Sequence, residues 1–152
     1  MSSIFKLYQL SHRLLHLGED GSSVYANEFS QLNAEVLRLA DELFAVEAQT
    51  REEEAALCAA LLMGYNATIY THADTEDKRQ TILNRASEVI DQLPASLLKC
   101  RLLLYCYGEV YDKGLIDEAR QIIMSWGGRE LTLEEQEMME LHNDLLQNPN
   151  SM

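Results

Sequence analysis

The chain is poor in the residues that break helices, with only two prolines and seven glycines in 152 positions. Leu, Ala, Glu, Gln and Met fill the space instead, side chains that lose little rotamer freedom in a helix, so the composition predicts an all-α protein. Basic residues are scarce as well. Twelve Lys and Arg stand against 25 Asp and Glu, a formal net charge of −13, which repels the phosphate backbone that a nucleic-acid binder must neutralise. Direct contact with DNA or RNA is therefore disfavoured, while the negative field serves solubility and steers the chain toward basic protein surfaces. No apolar run approaches the ~20 residues needed to span a bilayer, and the first residues lack the charged and then apolar regions of a secretory signal. A cytoplasmic location is the expectation. The three cysteines, Cys58, Cys100 and Cys106, are an odd number set in apolar helical text, which predicts reduced and mostly buried thiols. Phosphate loops, dinucleotide fingerprints and nucleophile elbows are missing, so neither a cofactor nor a catalytic residue is indicated. A small-molecule enzyme is the least favoured of the functional classes. At 47% hydrophobic the chain is long enough to bury a core without staples, as one compact domain.

What the sequence does contain is a repeat. LCAALLMGYNATIY at residues 57–70 returns 41 positions later as LKCRLLLYCYGEVY at residues 98–111, pairing Leu57 with Leu98, Leu61 with Leu102, Leu62 with Leu103, Ile69 with Val110 and Tyr70 with Tyr111. The same offset continues past a connection and sets Arg120, Gln121, Ile123 and Met124 on Arg79, Gln80, Ile82 and Leu83. Two helical hairpins of similar build are predicted, whose shared apolar face should bury Leu61, Leu62, Tyr70, Leu102, Leu103 and Ile123 at least in part.

Periodicity and caps place about seven helices in all. Ile4, Leu7, Tyr8, Ser11, Leu14, Leu15 and Leu17 draw a stripe on a first helix that Gly18 ends. A second runs from near Val24 to about Val46 with Phe29, Leu32, Val36, Leu39 and Leu43. Thr50 and the glutamates that follow cap a third, from near Arg51 to about Thr71. Asp74 or Thr75 caps a fourth, bearing Ile82, Leu83, Ala86, Val89, Ile90 and Leu93. Pro94 sits where proline is tolerated, in the first turn of a fifth helix that reaches about Lys113. Gly114 supplies the next break, and a sixth helix from Leu115 to about Trp126 closes on Gly127 and Gly128. Thr132 with Glu135 forms a capping box for the seventh, which carries Met138, Leu141 and Leu145. Residues 1–147 are expected to form the domain and residues 148–152 a frayed tail.

Three clusters resemble chemistry without completing it. His12 and His16 stand one helical turn apart, a geometry that can bind a metal, but no nearby Cys, Asp or Glu finishes a ligand set. Cys100 and Cys106 are separated by about 9 Å along a helix, too far to share one ion. Glu52, Glu53 and Glu54 are explained by a capped, solvated helix start. No metal is expected.

Gly108, Tyr111, Gly114 and Ala119 follow the tetratricopeptide order of small residue, tyrosine, glycine and alanine, with Tyr111 to Gly114 one position short. Small residues at such places let paired helices touch. The fold class is therefore read as all-α, with αα-hairpins stacked in a tetratricopeptide-like way in one compact domain, and an ordinary helical bundle as the alternative.

Four separated blocks carry a further likeness: LSHRLLHLGEDGSSVY at residues 10–25, EEEAALCAALLMGYNATIY at 52–70, LPASLLKC and LLYCYGEVYD within 93–112, and WGGRELTLEE at 126–135. In this order they resemble the UpxZ family of transcription anti-terminator antagonists, small bacterial proteins encoded with capsular polysaccharide loci. The resemblance implies inhibition, by protein–protein binding, of NusG-like antiterminators (UpxY type) belonging to non-cognate loci, so that one polysaccharide dominates in a cell. It implies no enzyme activity and supplies no site residues. A generic helical adaptor or scaffold is the alternative function.

Candidate partner-binding residues therefore come from helix geometry. If the first helix of each hairpin lines a concave side, Tyr105, Glu109 and Asp112 share one row of the fifth helix at spacings of four and three. An aromatic flanked by carboxylates suits a basic, partly apolar protein surface. The competing reading makes Glu109 and Asp112 a solvated face and Tyr105 a core residue. Trp126 beside Gly127 and Gly128 is the other candidate anchor, with burial as its alternative.

Overall fold

A computed structural model describes residues 2–18, 26–68 and 74–147. Among the described residues there are seven helices and no strand: α1 (Ser2–Leu15), α2 (Ala26–Phe44), α3 (Arg51–Ala67), α4 (Asp74–Ile90), α5 (Leu97–Val110), α6 (Lys113–Met124) and α7 (Leu133–Gln147). The expected start of the second helix at Val24, the partners Ile69 and Tyr70, the expected helix end at Thr71 and the tail 148–152 lie outside the described residues.

Helix α3 is the hub. Every residue from Leu57 to Tyr65 is buried, which a helix tolerates only when neighbours cover all its sides. Those neighbours are α1, α2, α4 and α5. Helix α5 is the second hub, packed against α3, α4, α6 and α7. Leu7, Val36, Leu57, Leu61, Leu62, Ile82, Leu102, Leu103, Leu104 and Ile116 form the fully buried centre, and all seven helices contribute to one core.

Close approach in this core depends on Gly64, a residue the repeat does not single out. A Cβ there would meet Leu7 Cδ1 at 3.2 Å and Ser11 Oγ at 3.3 Å, so the missing side chain is what lets α1 lie against α3. Gly108, expected to be pressed by a neighbouring helix, has only Leu145 Cδ2 near a built Cβ, at 4.0 Å. It lines a groove rather than a tight contact.

The caps are set by side chains. Thr50 Oγ1 accepts the Glu53 amide at 3.0 Å to start α3, and Ser96 Oγ accepts the Lys99 amide at 3.1 Å to start α5. Pro94 therefore lies in the connection rather than in the first turn of α5. Thr132 and Glu135 exchange bonds of 3.1 and 2.9 Å at the head of α7, the reciprocal box read from the sequence. Gly114 is not the break between α5 and α6 but a member of α6. Tyr111 makes that break, in the left-handed region at φ 56° and ψ 32°, and Asp112 caps α6 by accepting the Gly114 amide at 2.9 Å.

Charged pairs stitch helix to helix. Arg85 of α4 makes two bonds to Glu54 of α3, at 2.9 and 2.6 Å. Lys78 of α4 reaches Asp41 of α2 at 3.2 Å, and Tyr65 donates its hydroxyl to the same carboxylate at 2.7 Å. Lys99, buried in α5, is held by the Leu93 carbonyl at 3.2 Å and by Glu118 of α6 at 2.6 Å.

Candidate functional site: an apolar groove walled by α7

Between the end of α1 and the face of α7 runs a groove of about 420 Å³. Its base is apolar: Met63 from α3, Leu104 from α5 and Met138 from α7 are all buried. Leu15, 46% exposed, and His16 form one lip, and Asn66, Tyr105 and Gly108 complete that side. Along the opposite side α7 presents two adjacent stripes, Met138, Leu141 and Leu145 facing inward and Glu137, Glu140 and Asp144 beside them. Each stripe is spaced three and then four, the repeat that keeps side chains on one face of a helix. No Lys or Arg is among the groove's lining residues.

The groove is braced by contacts from α1 and α5 to α7. His12 Nε2 lies 3.0 Å from Glu137 Oε2, and its ring lies 4.3 Å from that of His16 at a tilt of 40°. The Arg101 guanidinium sits 4.6 Å over the Tyr8 ring while pairing with Glu134 at 3.3 Å, a cation–π contact that ties α5 to α1 and α7. Burial pushes the Tyr105 hydroxyl above the ordinary phenol range, with neighbouring Tyr8 adding to the rise and Arg101 opposing it. At neutral pH Tyr105 is therefore a neutral side chain whose ring lines the groove while its hydroxyl is engaged by Arg101.

The four residues proposed from helix geometry do not gather on one surface. Tyr105 lines the groove and is half-buried. Glu109, with only 15% of its side chain exposed, is bound by both oxygens to Arg79 of α4, one bond being 2.7 Å. Asp112 is exposed and spends its carboxylate on capping α6. Trp126, 6% exposed, belongs to the core. The α7 wall is the half of the site that helix geometry on α5 alone misses. Its apolar stripe is legible in the text, and the acidic stripe one position away carries the rest of the signal.

A second, larger hollow of about 590 Å³ opens beside the α2–α3 link, lined by residues 44–51 and by Glu54 and Arg85. Those two charges are committed to each other, and the Arg85 guanidinium also donates to the Phe44 carbonyl at 3.4 Å. Among the described residues no group of three or more His, Cys, Asp or Glu is arranged to hold a metal, and no helix is long and apolar enough to cross a membrane. The cysteines are unpaired and buried, and burial pushes the thiols of Cys58 and Cys106 up to about 12 and that of Cys100 to about 11. None has the lowered pKa of a nucleophile.

Residues 4–108 match the model of the UpxZ family of transcription anti-terminator antagonists. The chain belongs to this family. The crystal structure of a transcription anti-terminator antagonist UpxZ from Bacteroides uniformis ATCC 8492 is 44% identical, covers 99% of this chain and 94% of that one, and superposes with a TM-score of 0.90. No curated protein matches. On the UpxZ fold the α1, α3 and α5 sides of the groove fall within the family-matched residues, whereas α7 lies beyond residue 108 and inside the span shared with the crystal structure.

Proposed function

We propose that this UpxZ-family chain silences NusG-like antiterminators of the UpxY type from non-cognate capsular polysaccharide loci by binding the antiterminator protein. It acts in the cytoplasm by occupancy rather than catalysis, and without touching nucleic acid. The observation that carries this reading is the groove: an apolar base under a rim without Lys or Arg, on a chain of net charge −13, suits a protein segment and not a phosphate backbone. Tyr105 is the anchor we place against the partner. Of the remaining candidates, Asp112 is an exposed contact at the start of α6, Glu109 holds α5 to α4 through Arg79, and Trp126 acts from within the core.

The test is side-by-side titration of the purified chain with cognate and non-cognate antiterminators, paired with a readthrough reporter. Tight binding to the non-cognate proteins with loss of readthrough is expected. Binding that leaves readthrough unchanged would make the chain an adaptor, and equal binding to all antiterminators would remove the locus selectivity.

A further inference from the structure

The two stripes of α7 specify more than an apolar contact. Leu145 stands eight positions after Glu137, which at ~1.5 Å per residue is about 12 Å, or two helical turns. Over that length an acidic ridge, Glu137, Glu140 and Asp144, runs parallel to an apolar one, Met138, Leu141 and Leu145. An extended peptide repeats its side chains every ~6.6 Å against the ~5.4 Å turn of these ridges and finds no strand among the described residues to pair with, so it cannot both follow the ridges and satisfy its backbone. A helix can, because ridges of one helix seat in the grooves of another when both follow that spacing.

We infer that the groove receives a basic amphipathic helix of the partner, lying along α7. This rests on the proposed antagonism and names the chemistry of the segment it captures. Apolar side chains three and four apart enter between α7 and the α1–α5 side, over Met63 and Leu104. Lys or Arg side chains on the adjoining face of that helix meet the exposed Glu140 and Asp144, while Glu137, paired with His12, continues the ridge toward α1. The apolar contacts supply affinity; the charges supply orientation and encounter rate.

The experiment uses the full chain and a purified antiterminator that it binds. Glu140→Lys with Asp144→Lys reverses the ridge at two exposed positions, and Glu140→Gln with Asp144→Asn removes its charge without reversal. We expect the reversed pair to weaken binding by about tenfold or more, the neutral pair to fall between it and the wild type, and wild-type affinity to drop as salt is raised. Melting temperature confirms that both variants are folded, and the salt series on the wild type stands without any substitution. Affinity unchanged in both pairs and insensitive to salt would overturn the inference while leaving the antagonism intact, since the partner would then be held by apolar contact alone. A wild-type chain that binds no antiterminator would overturn the antagonism, and the helix assignment with it.

Discussion

In the α3–α4 hairpin six residues, 68–73, separate the helices, whereas Tyr111 and Asp112 alone join α5 to α6. The first helices of the two hairpins keep the sequence offset of 41: Leu61 and Leu102 are fully buried, as are Leu62 and Leu103. The second helices do not. Under that offset fully buried Ile82 pairs with half-buried Ile123, and half-buried Leu83 with Met124, which is 71% exposed. Shifting by one position restores the match, because Ile122 (122 − 82 = 40) is buried, Ile123 is half-buried like Leu83, and Trp126 is buried like Ala86. A one-residue change turns a helix by about 100°, so the offset that survives in the letters Arg, Gln and Ile fails in space. A repeat is reliable where a helix is packed on all sides, and loses its register where a shorter link restarts the next helix.

The largest effects should fall where the hairpins agree. Leu61→Ala and Leu102→Ala each delete a fully buried side chain and should each cost about 2–5 kcal/mol in denaturant unfolding. A loss at one site less than half of that at the other would break the equivalence of α3 and α5. Where the hairpins disagree, Ile122→Ala should cost about 2–5 kcal/mol, the range for a buried isoleucine, and Ile123→Ala distinctly less. The reverse order would reinstate the offset of 41.

The two glycines sharpen the same contrast. Gly64→Val has Leu7 and Ser11 in its way and should destabilise by about 1–3 kcal/mol through overpacking. At Gly108 a Cβ has only the end of Leu145 within 4 Å and the rest of a leucine enters the groove, while exchanging glycine for a good helix former offsets crowding, so the melting temperature of Gly108→Leu should stay at or above that of the wild type. Overpacking at Gly108 equal to that at Gly64 would show that the groove is closed.

The smallest effect concerns the head of α7. Glu135 is held at about 2, below its ordinary 4.5, first by its bond to Arg129 and then by the Thr132 amide. Because the unfolded chain takes up the proton first, this stabilisation is complete above about pH 4.5, drains as pH falls, and is gone below about 2. Melting curves across that window should fall more for the wild type than for Glu135→Gln. Parallel curves would show that the box contributes nothing.

Much of the architecture is legible in the text because caps and apolar spacing are local signals. Thr50 and Thr132 stand where helices begin, whereas Ser96, the cap of α5, is overlooked beside Pro94; the stripes of α1 and α2 bury Ile4, Leu7, Leu14, Leu32, Val36 and Leu39. The α5–α6 boundary is misjudged because Gly114 looks like a breaker, while Tyr111 adopts the left-handed conformation that glycine usually fills. The site is less legible, since it depends on which helices meet. Glu109 looks like a free carboxylate until Arg79 approaches from 30 positions away, and Trp126 looks like an anchor until the core closes over it. Gly64 gives no signal beyond its presence, because its neighbours Leu7 and Ser11 come from another helix.

Filling the groove probes partner binding at its source. Gly108→Leu places a side chain among Leu104, Tyr105 and Leu145, and its affinity for a non-cognate antiterminator can be measured by calorimetry beside its melting temperature. A folded variant that no longer binds and no longer suppresses readthrough is expected. Wild-type affinity in a variant of unchanged stability would place the partner elsewhere on the protein and contradict the assignment of the groove.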